Sequence, residues 1–129
     1  GVLSATFDNR LGGLDFYLEK GNVADLREFL KSGLTHWLTP NSQEQFPIWT
    51  CTPEQGRRLF EKTGFEVVDM VGKTVLPMRH YRALLEDSAT ARALHTLELQ
   101  LCRDPGAIGR AAHIQIAGRN GDAAEADEA

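Results

Sequence analysis

The chain has 129 residues, 42% hydrophobic and 25% charged, which suits one globular domain with a moderate core and speaks against two. A net charge of -4, with four acids and no base from Asp122 to Ala129, withholds electrostatic support from a nucleic-acid partner, and no apolar run approaches the roughly 20 residues that span a bilayer. Two cysteines, Cys51 and Cys102, stand in no CxxC and near no metal-type histidine spacing, which argues against a disulfide framework or structural zinc and for a reducing, cytoplasmic setting.

Gly1 in place of Met, with no basic-then-apolar leader, reads as a cut or processed start. Val2 to Phe7 is a short apolar, β-forming run closed by Asp8, Asn9 and Arg10; it predicts a strand buried on both faces, lying inside a sheet and not on an open edge. Gly12 and Gly13 open a loop. Leu14, Tyr17 and Leu18 recur at helical spacing up to Gly21. Asn22, with Asp25 after it, caps a second helix whose apolar positions are Val23, Leu26, Phe29 and Leu30 and which Gly33 closes. These two helices make an amphipathic, aromatic insertion with the character of a lid. From Thr35 to Cys51, two prolines, a polar centre and both tryptophans predict an ordered loop, turning at Pro40-Asn41-Ser42, with one extended piece at Ile48 to Cys51.

Thr52 to Leu76, TPEQGRRLFEKTGFEVVDMVGKTVL, is the best-signalled stretch. Thr52 and Gln55 form a capping box around Pro53, which at the first helical position lacks the N–H that would go unmet. Leu59 and Phe60 supply part of an apolar face, Lys62 sits in the last turn where a cation favours the helix dipole, and Gly64 takes the left-handed stop. Phe65, Val67 and Val68 then read as a strand, and Pro77 ends it. Met78 to Glu86 predicts a short helix with Tyr81, Leu84 and Leu85 inside. Ser88 caps a longer one, Ala89 to Arg103, with Ala91, Leu94, Leu97 and Leu101 on one stripe and Asp104-Pro105-Gly106 as its end. Ala111 to Gly118 is the last strand, with Ile114 and Ile116 on one face and His113 and Gln115 on the other. Strands alternating with helices predict an α/β layer over residues 1–120, with 121–129 as an acidic disordered tail. Leu3, Ala5, Phe7, Phe60, Val67, Ile114 and Ile116 are the expected common core.

With these elements in order, the chain resembles the C-terminal half of a class I S-adenosylmethionine-dependent methyltransferase. Gly1 to Arg10, GVLSATFDNR, resembles the family's fifth strand and its exit. Phe46-Pro47-Ile48, Thr52-Pro53-Glu54, Leu59-Phe60-Glu61-Lys62 and Gly64-Phe65-Glu66-Val67-Val68 resemble the approach to the last helix and the sixth strand. His113-Ile114-Gln115-Ile116-Ala117 resembles the seventh strand, which in this fold inserts antiparallel between the fifth and sixth. The resemblance reaches Asn120 and implies a partial Rossmann-like sheet (strands five, six and seven) with helices and a helical lid insertion. It implies S-adenosylmethionine as cofactor of the full enzyme and methyl transfer to an acceptor, which the aromatic lid suggests is of small or medium size with an apolar part. The family holds its cofactor on a glycine-rich turn after the first strand and an acid after the second. This chain has no G-x-G-x-G run, so alone it is expected to bind no cofactor and to be inactive. The alternative is a non-catalytic α/β binding or scaffold module derived from such an enzyme. With the fourth strand absent, the bare side of Val2 to Phe7 is expected to pair with a second copy, as a homodimer, or with a cofactor-binding partner half.

Asn9 and Arg10 follow the C-terminal end of the first strand, where open α/β sheets bind ligands; their plain reading is a turn asparagine and a solvated arginine. The resemblance sets Tyr17, His36, Trp37 and Trp49 over the substrate face, against the plain alternative of aromatic rings packed under a loop. These six are the candidate substrate-binding residues. His80 with Arg79 and Arg82 reads as a solvated helix start, His95 lies beside an apolar stripe, and His113 sits in the sheet. No two histidines and a carboxylate share ligand spacing, so no metal is expected. Ser4 and Ser88 lack a G-x-S-x-G elbow and Cys51 has no evident base, so no nucleophile is assigned.

Overall fold

The computed structural model describes residues 1–37 and 45–121. The expected turn at Pro40-Asn41-Ser42 and the acidic tail from Asp122 lie outside the described residues. In chain order the elements are β1 (Val2–Asp8), a 3-10 turn (Arg10–Gly13), α1 (Leu14–Glu19), α2 (Val23–Ser32), β2 (Leu34–Trp37), β3 (Phe46–Trp49), α3 (Pro53–Lys62) and β4 (Phe65–Lys73). Two 3-10 turns (Met78–His80 and Arg82–Glu86), α4 (Ser88–Leu101), α5 (Pro105–Ile108) and β5 (His113–Asn120) complete them. The protein is mixed α/β. A three-stranded sheet runs β1-β5-β4 with β5 antiparallel to both neighbours, and β2 and β3 pair as a separate antiparallel ribbon.

Local signals explain α3 and its junction with β4. Gln55 N–H donates to Thr52 Oγ1 at 3.2 Å and Thr52 N–H donates back to Gln55 Oε1 at 3.0 Å, so two donors with no partner inside the helix are met reciprocally. At the other end Gly64 turns the chain at φ 89°, where a side chain would be strained. The helix then lies close on the sheet. A Cβ at Gly118 would sit 2.6 Å from the Phe60 ring and one at Gly56 would sit 2.6 Å from Ile116 Cδ1, so each glycine is the hole for a large side chain opposite. Phe60, Ile108, Ile114 and Ile116 are the buried core, with Ala5, Phe7, Phe65, Val67 and Met70 packed on them.

Two expectations for β1 are corrected. The strand is not buried on both faces, and it lies at a sheet edge, where Val2 is 68% and Leu3 43% exposed. Leu3 therefore leaves the expected core. Period-two alternation explains why only one face is buried, with Ala5 and Phe7 facing α3 and Ser4, Thr6 and Asp8 on the opposite face; Leu3 shares the Ala5 face but remains exposed. That second face carries polar pairs beside Val2, Val71 and Ala117. Gln115 donates to Ser4 at 2.9 Å, Lys73 to Thr6 at 3.2 Å, and His113 Nε2 meets Asp8 Oδ1 at 2.9 Å. His113 and Gln115 thus lie opposite Ile114 and Ile116, as the alternation predicted.

Three further corrections follow from pairing and capping. The stretch expected as a loop contains two strands, with Leu34↔Trp49 and Thr35↔Ile48 in register; β2 is too short to show a repeat and is specified by its partner. Met78 to Glu86 forms two 3-10 turns and not one helix, and Tyr81, Leu84 and Leu85 are exposed and not inside. Asp87, and not Ser88, caps α4, accepting from Thr90 N–H at 2.9 Å. A hydrogen bond from the Thr90 hydroxyl, followed by that N–H, holds the Asp87 carboxyl below the usual carboxylate range. Further along α4, Glu98 accepts the N–H groups of Val75 (2.6 Å) and Leu76 (2.9 Å), which ties the helix to the exit of β4. Among the described residues no helix is long and apolar enough to cross a membrane.

Candidate functional site

At the C-terminal end of β1 the backbone leaves the sheet and is gripped from two sides. Asn9 N–H donates to Ala112 O at 3.0 Å, while Cys51 N–H donates to Asp8 O at 3.1 Å and Arg10 N–H to Cys51 O at 3.0 Å. This grip brings the β2–β3 ribbon and the α1–α2 insertion over the same strand end. Between them lies a cavity of about 450 Å³. Phe16, Tyr17, Phe29, Ile48 and Ala112 give it an apolar interior, and Asp8, Thr35, His36, Thr50, Arg79 and His113 bring polar groups to it. Phe29 is the anchor of the insertion: it is buried, stacks with Tyr17 at 4.9 Å between ring centroids, and fills the space beside Gly13. Tyr17 reaches across to the ribbon, where its hydroxyl shares a 2.8 Å hydrogen bond with Thr35 Oγ1.

The six candidates take different positions. Tyr17 and His36 line the cavity. Asn9 borders it, but its amide is committed inward: Nδ2 donates toward the carbonyls of Ile108 (3.3 Å), Gly109 (3.0 Å) and Ala111 (2.8 Å). Asn9 is 2% exposed, so this amide is a buried bracket joining the exit of β1 to the approach of β5. Arg10 lies under the ribbon, with Nη2 donating to Thr50 O at 3.1 Å and its guanidinium occupying the space a side chain at Gly33 would need. Trp49, paired with Leu34, does not line the cavity and is 44% exposed. Trp37 is described by its backbone, which pairs with Phe46.

The fold also brings a carboxylate–imidazole contact, Asp8 with His113, to the cavity. Asp8 and His113 are partners in the β1–β5 register, so the antiparallel ladder delivers carboxylate and imidazole together. Residues so far apart give no local signal of this.

A groove of about 400 Å³ between α3 and β4 makes a poorer site because three of its four charged side chains, Glu54, Asp69 and Arg103, are already paired. Arg103 meets Asp69 through two hydrogen bonds, 2.9 and 3.3 Å, and these hold the Asp69 carboxyl below the usual range; Glu54 is paired with Arg58 at 3.1 Å. Among the described residues no group of three or more His, Cys, Asp and Glu side chains could hold a metal ion.

Cys51 lies behind the cavity with no exposed surface, and burial pushes its thiol above the ordinary range, against the opposing pull of the Arg10 charge. Native Cys51 should therefore alkylate far more slowly at neutral pH than after unfolding, as mass spectrometry can follow. Equal rates in the two states would mean that the β1 exit is open.

The glycines after β1 do not fit a cofactor-binding turn. A Cβ on Gly12 would lie 2.7 Å from Ala111 O and one on Gly13 3.1 Å from the Phe29 ring, so both positions are filled by protein. Compared with models of known families and with curated proteins, the chain matches none.

Proposed function

We propose that this chain is the C-terminal, substrate-side portion of a class I S-adenosylmethionine-dependent methyltransferase, and that the cavity at the end of β1 receives the methyl acceptor. The observation that carries the reading is strand order. β5 runs antiparallel between β1 and β4, the arrangement the resemblance implies for strands five, seven and six. The apolar interior with a few polar groups suits a small or medium-sized acceptor with an apolar part. In this reading the chain contributes position and exclusion of water. The aromatic insertion covers the acceptor, and the Tyr17–Thr35 hydrogen bond fixes the cover to the ribbon. S-adenosylmethionine would be held by sequence outside this chain.

The reading assigns the open side of β1 to a partner. Among the described residues β1 pairs along one side with β5, and on the other it meets only Cys51 at its C-terminal end. Such an edge is a template for another strand, from the cofactor-binding half or, without it, from a second copy. The test compares two proteins. This chain alone should sediment as a species heavier than the monomer, dissociate on Leu3→Lys or Ala5→Pro, and show no calorimetric binding of S-adenosylmethionine below millimolar concentration. A longer product carrying the upstream coding sequence should bind that cofactor in the micromolar range. A monomeric chain with micromolar affinity of its own, or a longer product with none, would overturn the reading.

A further inference from the structure

A second cleft, of about 480 Å³, adjoins the first and shares Gly12, Phe16, Arg79 and Ala112 with it. It lies between the Arg10–Gly13 turn with α1 and the connection from Thr74 to His80. Leu11, Leu14, Val75 and Met78 line it, and Leu11 is 44% exposed although it faces a concave apolar surface. Two arginines, Arg79 and Arg110, stand at this cleft against one acid, Asp15, in a chain whose net charge is -4. The Arg110 guanidinium has no hydrogen-bond or ion-pair partner among the described residues. Arg79 is held loosely, 3.7 Å from Glu19, while His80 meets the same carboxylate at 2.7 Å. The histidine contact fixes the turn, and most of the arginine's donors stay unclaimed.

The connection that forms the far wall is strained and firmly held. Thr74, β-branched, has φ 59° in the left-handed region, where such a residue is an outlier. Its carbonyl accepts from Ala112 N–H at 3.2 Å, and the next two N–H groups are bound by Glu98. Strain of this kind persists where the surroundings impose it, and it collects at sites that must hold a shape.

We propose that this cleft is a binding site for a monocarboxylate with an apolar body, the carboxylate on Arg79 and Arg110 and the body on Leu11, Leu14 and Met78. Guanidinium groups meet a carboxylate with paired, charge-assisted hydrogen bonds. Asp15 at the cleft and Glu19 beside Arg79 offset the two arginine charges, so no surplus is left to hold a dianionic phosphate, and a single carboxylate with an apolar body is favoured. The cleft shares Arg79 with the proposed acceptor cavity, but Leu11, Leu14, Met78 and Arg110 line this cleft and not the cavity, and the proposal does not depend on methyl transfer.

Octanoate and its neutral counterpart octanamide test the assignment by titration into the isotope-labelled chain, observed through methyl NMR signals. Octanoate is expected to shift the Leu11, Leu14, Val75 and Met78 methyls with a sub-millimolar Kd, and octanamide to bind roughly tenfold more weakly or less tightly still. Arg110→Gln combined with Arg79→Gln should bring octanoate down to the affinity of the amide. Both side chains are exposed, so the fold should survive, and the comparison of the two ligands on the unaltered chain stands independently of the variant. Equal affinities, shifts confined to Ile48 in the neighbouring cavity, no shifts at all, or undiminished octanoate binding by the variant would each overturn the proposal.

Discussion

Replacing Phe60 with alanine is expected to destabilise the protein by about 3–5 kcal/mol, the range for removing a buried phenylalanine. Phe60 is 3% exposed and touches both other aromatic rings of the sheet core, with centroids 6.3 Å from Phe7 and 6.0 Å from Phe65. Its ring also fills the hollow over Gly118, where no side chain can move in to replace it. Relaxation into the cavity would require α3 to move, and α3 is fixed at one end by its capping box and at the other by the Gly64 turn. The loss should therefore lie toward the top of the range. A urea titration measures it, with an unchanged slope showing that the unfolded state is the same. A loss under about 1 kcal/mol would place Phe60 at the surface and undo the packing of α3 on the sheet.

Asn9→Ala is expected to cost about 3 kcal/mol, the upper end for leaving buried acceptors unmet. The native amide shares its two N–H groups among three carbonyls in the segment from Ile108 to Ala111, and alanine offers them nothing. Asn9→Asp gives the sharper readout. A carboxylate of the same shape would point negative oxygens at carbonyl oxygens, so at neutral pH this variant should be less stable than the alanine one. In such a site the protonated form is favoured and the carboxyl pKa is raised, so stability should return as pH falls through that raised value. Denaturation midpoints for the two variants at neutral and acid pH measure this. If Asn9→Ala costs less than about 0.5 kcal/mol, as at an ordinary surface position, the amide does not hold the β1 exit to the β5 approach.

The cavity divides along the same line as these two variants. Tyr17 and His36 were visible as aromatic residues of an insertion, and both line it. Trp49, with the same aromatic signal, and Arg10, marked by its place at the strand end, do not: Arg10 is bound beneath the ribbon to Thr50 O. Composition marks which side chains could bind a ligand. The direction each points is set by how the turn after β1, α1 and the β2–β3 ribbon pack together, which no local pattern records.

What the sequence alone determined is what neighbouring residues settle among themselves: the capping box and glycine stop of α3, the Asn22 cap and Gly33 end of α2, the opposite faces of Ile114 and His113, and the mixed α/β class. Each rests on contacts within a few positions, where spacing is written directly in the chain. Tertiary structure alone decided the edge position of β1, the β2–β3 ribbon, the Asp8–His113 pair and the inward commitment of Asn9, whose partners lie 99 to 102 residues away. Those contacts form only after long loops have closed, and which partner gains from the closure is set by the packed sheet, not by any property of the local segment.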